Sequence, residues 1–126
     1  TAENSINAAL NYGYSLLLST CARETALNGY ITQIGLFHDN IFNQFNLASD
    51  LMEPLRGFVD AVVIKLRPTE FDRNVKLALI ELLSEDVKIN DTVRTFSAAI
   101  RIYCKSVFDA LCTQNANQIR FIEYEL

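Results

Sequence analysis

Apolar residues recur along this chain at helical spacing, and the first such stretch is the longest. It predicts a helix over residues 5–27, begun by a polar cap at Asn4 or Ser5 and stopped at Gly29. Gly13 lies inside the apolar stripe of that helix, where glycine costs about 1 kcal/mol relative to alanine. We therefore expect Gly13 to let another backbone approach the helix closely.

The second stretch of helical period covers residues 47–66 and follows a cap residue, Asn46. Its apolar face keeps its phase across Pro54, although a proline removes one backbone hydrogen bond and bends a helix. The pattern thus predicts a single helix that is kinked at Pro54 and that ends before Pro68.

Two further helices follow, separated by a polar stretch. Thr69 is expected to begin the third helix, with Asp72 completing a weak capping box. Residues 85–91 are expected to form a polar connection, and Thr92 to cap the fourth helix. The tail at residues 119–126 fits either an added strand or a last helical turn. The predicted fold is all-α: a single helical domain of about four main helices plus a short C-terminal tail.

Composition agrees with one helical domain and narrows the choice of partners. Half of the 126 residues are apolar, with only four Gly and two Pro, so a sizeable core is expected to form without disulfides or a bound metal. No apolar run approaches the length of a membrane span, and no leader pattern opens the chain. The net charge of −4 argues against a free-standing nucleic-acid binder.

The three cysteines, Cys21, Cys104 and Cys112, all fall within apolar helical patterns. Their number is odd and no Cys-x-x-Cys is present, so we interpret them as reduced core thiols of a cytoplasmic protein. A zinc site is not expected, because the one histidine has no thiol nearby in the sequence. Phosphate-binding glycine loops and nucleophile elbows are also missing.

Candidate chemistry concentrates between residues 34 and 60. This stretch contains the only histidine, His38, followed by three acids, Asp50, Glu53 and Asp60. Asp50 and Glu53 are three residues apart and share a helix face, with Asp60 one to two turns further along. An imidazole and carboxylates that converge would form a divalent-cation site. A plain surface with acids near a helix start shows the same pattern, and it is the more frequent case.

Three basic residues recur in the region of the fourth helix, opposite its apolar stripe: Arg94, Arg101 and Lys105. Their steps of seven and four residues place them on one helix face. Such a stripe is able to contact DNA phosphates. More often, however, it is simply a solvated face, so both interpretations stay open.

Three segments together resemble a known family. They are Asn-Ala-Ala-Leu-Asn-Tyr-Gly-Tyr at 7–14, Gly-x-x-His at 35–38, and Phe-Asn-Leu-Ala-Ser-Asp-Leu-Met-Glu-Pro-Leu-Arg at 45–56, with Val59-Asp60 behind. This combination resembles the C-terminal helical lobe of the CRISPR-associated integrase, the endonuclease subunit of the spacer-acquisition (adaptation) complex. The version found with type II systems is the most similar. The resemblance is strong up to Asp60 and looser beyond it.

By this resemblance, His38 and Glu53 match catalytic residues that bind Mg or Mn, and Asp50 matches a further acid one turn earlier. The family's first glutamate belongs to sequence upstream, and neither Glu3 nor Glu24 lies in its motif. The chain also begins without Met. We therefore expect residues 1–126 to be the helical lobe without the family's N-terminal β domain, and to be inactive alone.

The resemblance also implies a reaction and partners. A DNA 3′-hydroxyl would attack a phosphodiester at the cation, and the protein would act as a homodimer on double-stranded DNA with a small CRISPR-associated subunit. The alternative is a helical protein-interaction module without a site. The two differ in one distance: a shared cation requires the His38 ring and the Glu53 carboxylate to come within roughly 4 to 5 Å.

Overall fold

The computed structural model describes residues 1–28 and 44–123, and the side chains of the second range from residue 47 onward. Along the chain, its helices, strands and short 3₁₀ segments are α1 (Ala2–Asn28), α2 (Gln44–Met52), a 3₁₀ segment (Glu53–Leu55), α3 (Arg56–Leu66), α4 (Arg73–Leu82), β1 (Asp86–Ile89), β2 (Thr92–Thr95), α5 (Phe96–Thr113) and a second 3₁₀ segment (Ala116–Gln118). The prediction of one mostly helical domain is confirmed, with a small hairpin added.

Helix α1 is the element against which α2, α3, α4 and α5 all pack. Gly13 lies buried at its contact with α3 and α4, where a Cβ would overlap Val59 Cγ1 and approach Leu79 Cδ2 to 3.3 Å. The expected packing reason for this glycine is confirmed, although side chains rather than a backbone occupy the space. The helix begins earlier than predicted, because the Thr1 hydroxyl accepts a hydrogen bond from the Asn4 backbone N–H at 3.2 Å.

The predicted second helix is divided by the 3₁₀ segment around Pro54, which separates α2 from α3. A proline cannot donate to the carbonyl four residues earlier, so the backbone tightens locally to three-residue hydrogen bonds. The Arg56 backbone N–H accordingly donates to the Glu53 carbonyl. The helix ends as predicted before Pro68, with Arg67 in the left-handed conformation at φ 46°.

Helix α4 begins at Arg73 rather than at Thr69. Asp72, which was predicted to be part of a capping box, is itself the N-cap and accepts a hydrogen bond from the Val75 backbone N–H at 3.1 Å. The Val75 N–H has no partner within the helix, and the side chain of Asp72, whose backbone is extended, supplies one. Thr69 lies too far before the first helical residue to do so.

The prediction for residues 85–91 is wrong: this stretch is largely a β-hairpin rather than a polar connection. Asp86–Ile89 pairs antiparallel with Thr92–Thr95. Val87 and Ile89 are buried while Asp86 is exposed, which is the alternation of a strand. Two apolar residues among polar neighbours are too few to predict a strand from the sequence. The strand forms because residues 86–89 pair with β2.

Thr92 is therefore in a strand and does not cap the last helix. Thr95 does so, since its hydroxyl accepts a hydrogen bond from the Ala98 backbone N–H at 3.2 Å. The tail extends the hairpin: Lys88 and Glu123 exchange backbone hydrogen bonds of 3.0 and 2.8 Å. Of the two predicted states of the tail, the strand is therefore the one observed at Glu123.

Helix α5 supplies the centre of the core, with Phe96, Ile100, Cys104 and Phe108 on its buried face. The rings of Phe58 and Phe96 stack with centroids 4.5 Å apart. Helix α5 is also tied to α2, because the buried Tyr103 hydroxyl donates to the Leu51 carbonyl at 2.8 Å. No helix within residues 1–28 and 44–123 is long and apolar enough to span a membrane.

Candidate functional site

The predicted histidine ligand, His38, lies outside the residues that the structure describes. Its distance to Glu53 therefore stays a prediction. What the structure does describe is the acidic side of the candidate site and the surroundings of each acid.

Asp50 and Glu53 lie on either side of the junction between α2 and the 3₁₀ segment, and both are exposed. Asp50 belongs to the last turn of α2, and Glu53 is the first residue of the segment that Pro54 imposes. Exposed carboxylates three residues apart are accessible to a hydrated cation, and hard oxygen donors are the ligands that Mg²⁺ and Mn²⁺ prefer. The donor chemistry of these two residues thus fits part of the predicted site.

Glu53 already has a cationic neighbour within the chain. Its Oε1 lies 3.3 Å from Arg56 Nη1, in a pair whose side chains are 57% and 44% exposed. The 3₁₀ turn produces this contact, because side chains three residues apart nearly eclipse in a 3₁₀ helix. An ion pair so exposed contributes at most about 1 kcal/mol.

Arg56 is also held from its other side, by α1. Its guanidinium carbon lies 4.3 Å from the ring centroid of Tyr14. The Tyr14 hydroxyl in turn donates a hydrogen bond to Asp60 Oδ1, one turn beyond Arg56 on α3. Burial raises the pKa of Tyr14 above its usual value, and this hydrogen bond is the second largest cause. Contacts therefore run from Glu53 to Arg56, then to Tyr14 and Asp60.

The sequence analysis missed Tyr14 and Arg56, although both stand in the segments that carry the resemblance. Asp60 was predicted to extend the acidic stripe, and the structure places it instead in the hydrogen bond with Tyr14. In the part of the chain that the structure covers, no three His, Cys, Asp or Glu side chains converge as a metal site would require. Asp50 and Glu53 are therefore two donors of an incomplete set.

The basic stripe is corrected by the structure. Arg94 belongs to β2, so it does not share a helix face with the other two residues. Arg101 Nε lies 3.4 Å from the carboxylate of Glu24, and Lys105 Nζ lies 3.0 Å from that of Asp109. Contact of these residues with DNA phosphates stays a prediction, but the helical stripe is reduced to Arg101 and Lys105 on α5.

The prediction for the cysteines holds for two of the three. Cys21 and Cys104 are buried between α1 and α5, while Cys112 is exposed near the end of α5. A hydrogen bond with Cys21, together with burial, raises the pKa of the Cys104 thiol far above its usual value. Cys104 is consequently held as a neutral thiol, which is a poor nucleophile.

Comparison with known proteins bears on the same segments. The model of the family described as CRISPR associated protein Cas1 matches residues 1–76, which include Tyr14, Asp50, Glu53 and Asp60.

The "CRISPR-associated endonuclease Cas1" of Neisseria meningitidis serogroup C is 36% identical over 126 aligned residues, covering 96% of this chain and 41% of that protein. The "CRISPR-associated endonuclease Cas1 2" of Pyrobaculum aerophilum is 34% identical over 114 residues, covering 86% of this chain and 38% of that protein. The chain thus spans about two-fifths of the length of these two curated relatives. The family model matches more than half of the residues of this chain, and the chain therefore belongs to the Cas1 family.

Proposed function

We propose that this chain forms part of the active site of a metal-dependent DNA endonuclease and integrase that acts in CRISPR adaptation. One observation carries the proposal: Asp50 and Glu53 present exposed carboxylates at a helix break, within the region that matches the family model. The names of the relatives support the nuclease activity, since both are described as endonucleases.

The residues that would hold Mg²⁺ or Mn²⁺ are Glu53 and His38, with Asp50 as a further acid. A bound cation would stabilise negative charge on the attacked phosphate and lower the pKa of the attacking DNA 3′-hydroxyl. Arg56 contacts Oε1 of Glu53, so the cation would bind through Oε2 or displace the arginine from Oε1. His38 has to be neutral to act as a ligand, so acidic pH would compete with metal binding.

The partners are part of the same proposal. Double-stranded DNA is the substrate, and the resemblance implies a homodimer with a small CRISPR-associated subunit. The acidic balance of the chain, −4, means that its own surface supplies little general attraction for DNA. Most of the positive surface that grips the duplex would therefore come from other parts of the assembly.

A helical protein-interaction module is the alternative, and one observation favours it. An apolar groove of about 740 Å³ lies between the N-terminal half of α1 and the end of α3, lined by residues that include Ile6, Leu10, Val63 and Ile64. Ile64 is 70% exposed there. Exposed apolar surface of this kind often marks a contact with another protein. The groove is compatible with the integrase as well, so it does not displace the first proposal.

Mn²⁺ titration separates the two functions. It is performed on the complete protein that contains this chain, and on its His38→Ala and Glu53→Gln variants. Loss of a ligand is expected to weaken metal binding by at least about tenfold and to reduce DNA joining in parallel. Glu81→Gln is the matched control, since Glu81 is an exposed acid on α4, outside the site. Equal metal binding and equal joining by the wild type and His38→Ala would eliminate the integrase proposal.

A further inference from the structure

Arg56 is held at two points, and these points come from different elements. Its guanidinium faces the ring of Tyr14 on α1 at 4.3 Å and the carboxylate of Glu53 at 3.3 Å. An isolated surface ion pair would leave both long side chains largely free to rotate. The aromatic ring restricts Arg56, because a cation over a ring face is attracted by the ring's quadrupole.

Tyr14 is itself fixed in orientation. Its hydroxyl donates to Asp60 Oδ1, and its side chain is half-buried between α1 and α3. Asp60 and Arg56 are four residues apart on α3, so they project from the same face and bracket the tyrosine. The ring that faces Arg56 is therefore held by the hydrogen bond rather than by packing alone.

We propose that Tyr14 and Asp60 are positioning residues that hold Arg56 against Glu53, and that Arg56 is a built-in counter-cation that competes with the metal for this carboxylate. The inference rests on the proposed function, because it assigns a metal to Glu53. The brace formed by Tyr14, Asp60 and Arg56 would set the metal affinity of the site. It would keep Glu53 neutralised until a divalent cation displaces the arginine.

The magnitude of the effect follows from the exposure of the pair. A half-exposed ion pair contributes at most about 1 kcal/mol, which corresponds to about a fivefold change in affinity. Arg56→Gln removes the competing charge, so it is expected to tighten Mn²⁺ binding by about three- to fivefold. Tyr14→Leu removes the aromatic support and is expected to tighten binding by about twofold. Tyr14→Phe keeps the ring but loses the hydrogen bond to Asp60, so its affinity should lie between those of the wild type and Tyr14→Leu.

The experiment measures Mn²⁺ affinity by calorimetry on the complete protein, on these three variants and on Arg56→Lys, at low and high salt. A merely structural role would weaken binding or leave it unchanged, whereas the brace predicts tighter binding in the order Arg56→Gln, Tyr14→Leu, Tyr14→Phe. High salt should reduce the differences, because it screens the exposed pair. Arg56→Lys is the conservative variant and should restore affinity close to that of the wild type.

A metal-free measurement separates this inference from the proposed function. With ¹³C-labelled arginine, NMR should show an upfield ring-current shift of the Arg56 side chain that is reduced in Tyr14→Phe and disappears in Tyr14→Leu. If the shift is present but neither the wild type nor Arg56→Gln binds Mn²⁺, the proposed metal site fails and this inference falls with it. If the wild type binds Mn²⁺ and Arg56→Gln binds no more tightly, only this inference is overturned.

Discussion

Glu24 shows, at the scale of a single residue, how a contact across the core gives a side chain a role that its position in the sequence does not reveal. Its side chain is 5% exposed on the buried side of α1, and it forms an ion pair with Arg101 of α5. Burial of a carboxylate costs free energy unless a cation or hydrogen bonds compensate it. The Arg101 side chain is 70% exposed, and it supplies that cation from the protein surface. The arginine that was predicted to contact DNA is thus engaged within the fold.

Arg101→Ala is expected to destabilise the protein by about 1 to 2 kcal/mol, because it leaves the Glu24 carboxylate buried without its cation. The loss should lie toward the lower value, since solvent screens the exposed guanidinium. Urea denaturation measures it, with Arg94→Ala on the exposed strand β2 as the control that should change stability by less than about 0.5 kcal/mol. The Glu24→Gln/Arg101→Ala double variant should recover part of the loss. Unchanged stability in Arg101→Ala together with weaker DNA binding would favour the phosphate contact instead.

At the scale of an element, the hairpin depends on a two-residue turn. Asn90 and Asp91 both have positive φ, 54° and 61°, which is the geometry of a type I′ turn. Asparagine tolerates the left-handed region well, but glycine is the residue that this turn favours at its second position. The turn brings β1 and β2 together so that Val87 and Ile89 reach the core. Asp91 is therefore a position where the local conformation is not optimal.

Asp91→Gly is expected to stabilise the protein by about 0.5 to 1 kcal/mol, because glycine adopts this positive φ without steric cost. Thermal unfolding followed by circular dichroism measures the change. Asp91→Ala is the matched variant, and it should be less stable than Asp91→Gly because alanine retains the Cβ that disfavours the left-handed region. A lower melting temperature for Asp91→Gly than for the wild type would contradict the assignment of this turn.

The same dependence on distant contacts appears at the scale of the whole molecule, where α2 and α5 are joined by the buried Tyr103 hydroxyl. It donates to the Leu51 carbonyl, 52 positions away in sequence. Burial raises the pKa of Tyr103 well above its usual value, and the neighbouring thiols Cys104 and Cys21 act in the same direction. The fold thus stabilises the neutral phenol, which links its stability to pH.

Stability should fall at alkaline pH. Because the pKa of Tyr103 is higher in the folded than in the unfolded state, its contribution is complete below about pH 10 and is lost as pH rises toward the folded value. Tyr103→Phe should be less stable by about 1 kcal/mol at neutral pH, since it loses the hydrogen bond. Above about pH 10, its loss of stability with rising pH should be shallower than that of the wild type. Urea titrations at each pH measure the free energy of unfolding. If it falls with pH in parallel for the wild type and Tyr103→Phe, the linkage is refuted.

The limits of the sequence prediction follow from particular residues. The helices were predictable because their apolar periods are long, and a kink at Pro54 was predictable because proline lacks a donor, although the division into two helices was not predicted. The cap at Thr95 was missed, because Thr92 offers the same side chain three positions earlier and only strand pairing excludes it. In the candidate site, Asp50 and Glu53 could be chosen from spacing and resemblance. Arg56 and Tyr14 could not be chosen in this way, since no local sequence pattern predicts a contact between α1 and α3.

The sequence by itself determined what depends on neighbouring residues: helical period, a distortion at Pro54, the stop before Pro68 and the segments that show the family. These follow from backbone sterics and short-range hydrogen bonds, which act within a few residues. Tertiary structure alone decided which polar and charged side chains meet, as in the pairs Tyr14 with Asp60 and Glu24 with Arg101. The physical reason is that such pairs lie 46 and 77 positions apart, so only the packing of α1 against α3 and α5 brings them within contact.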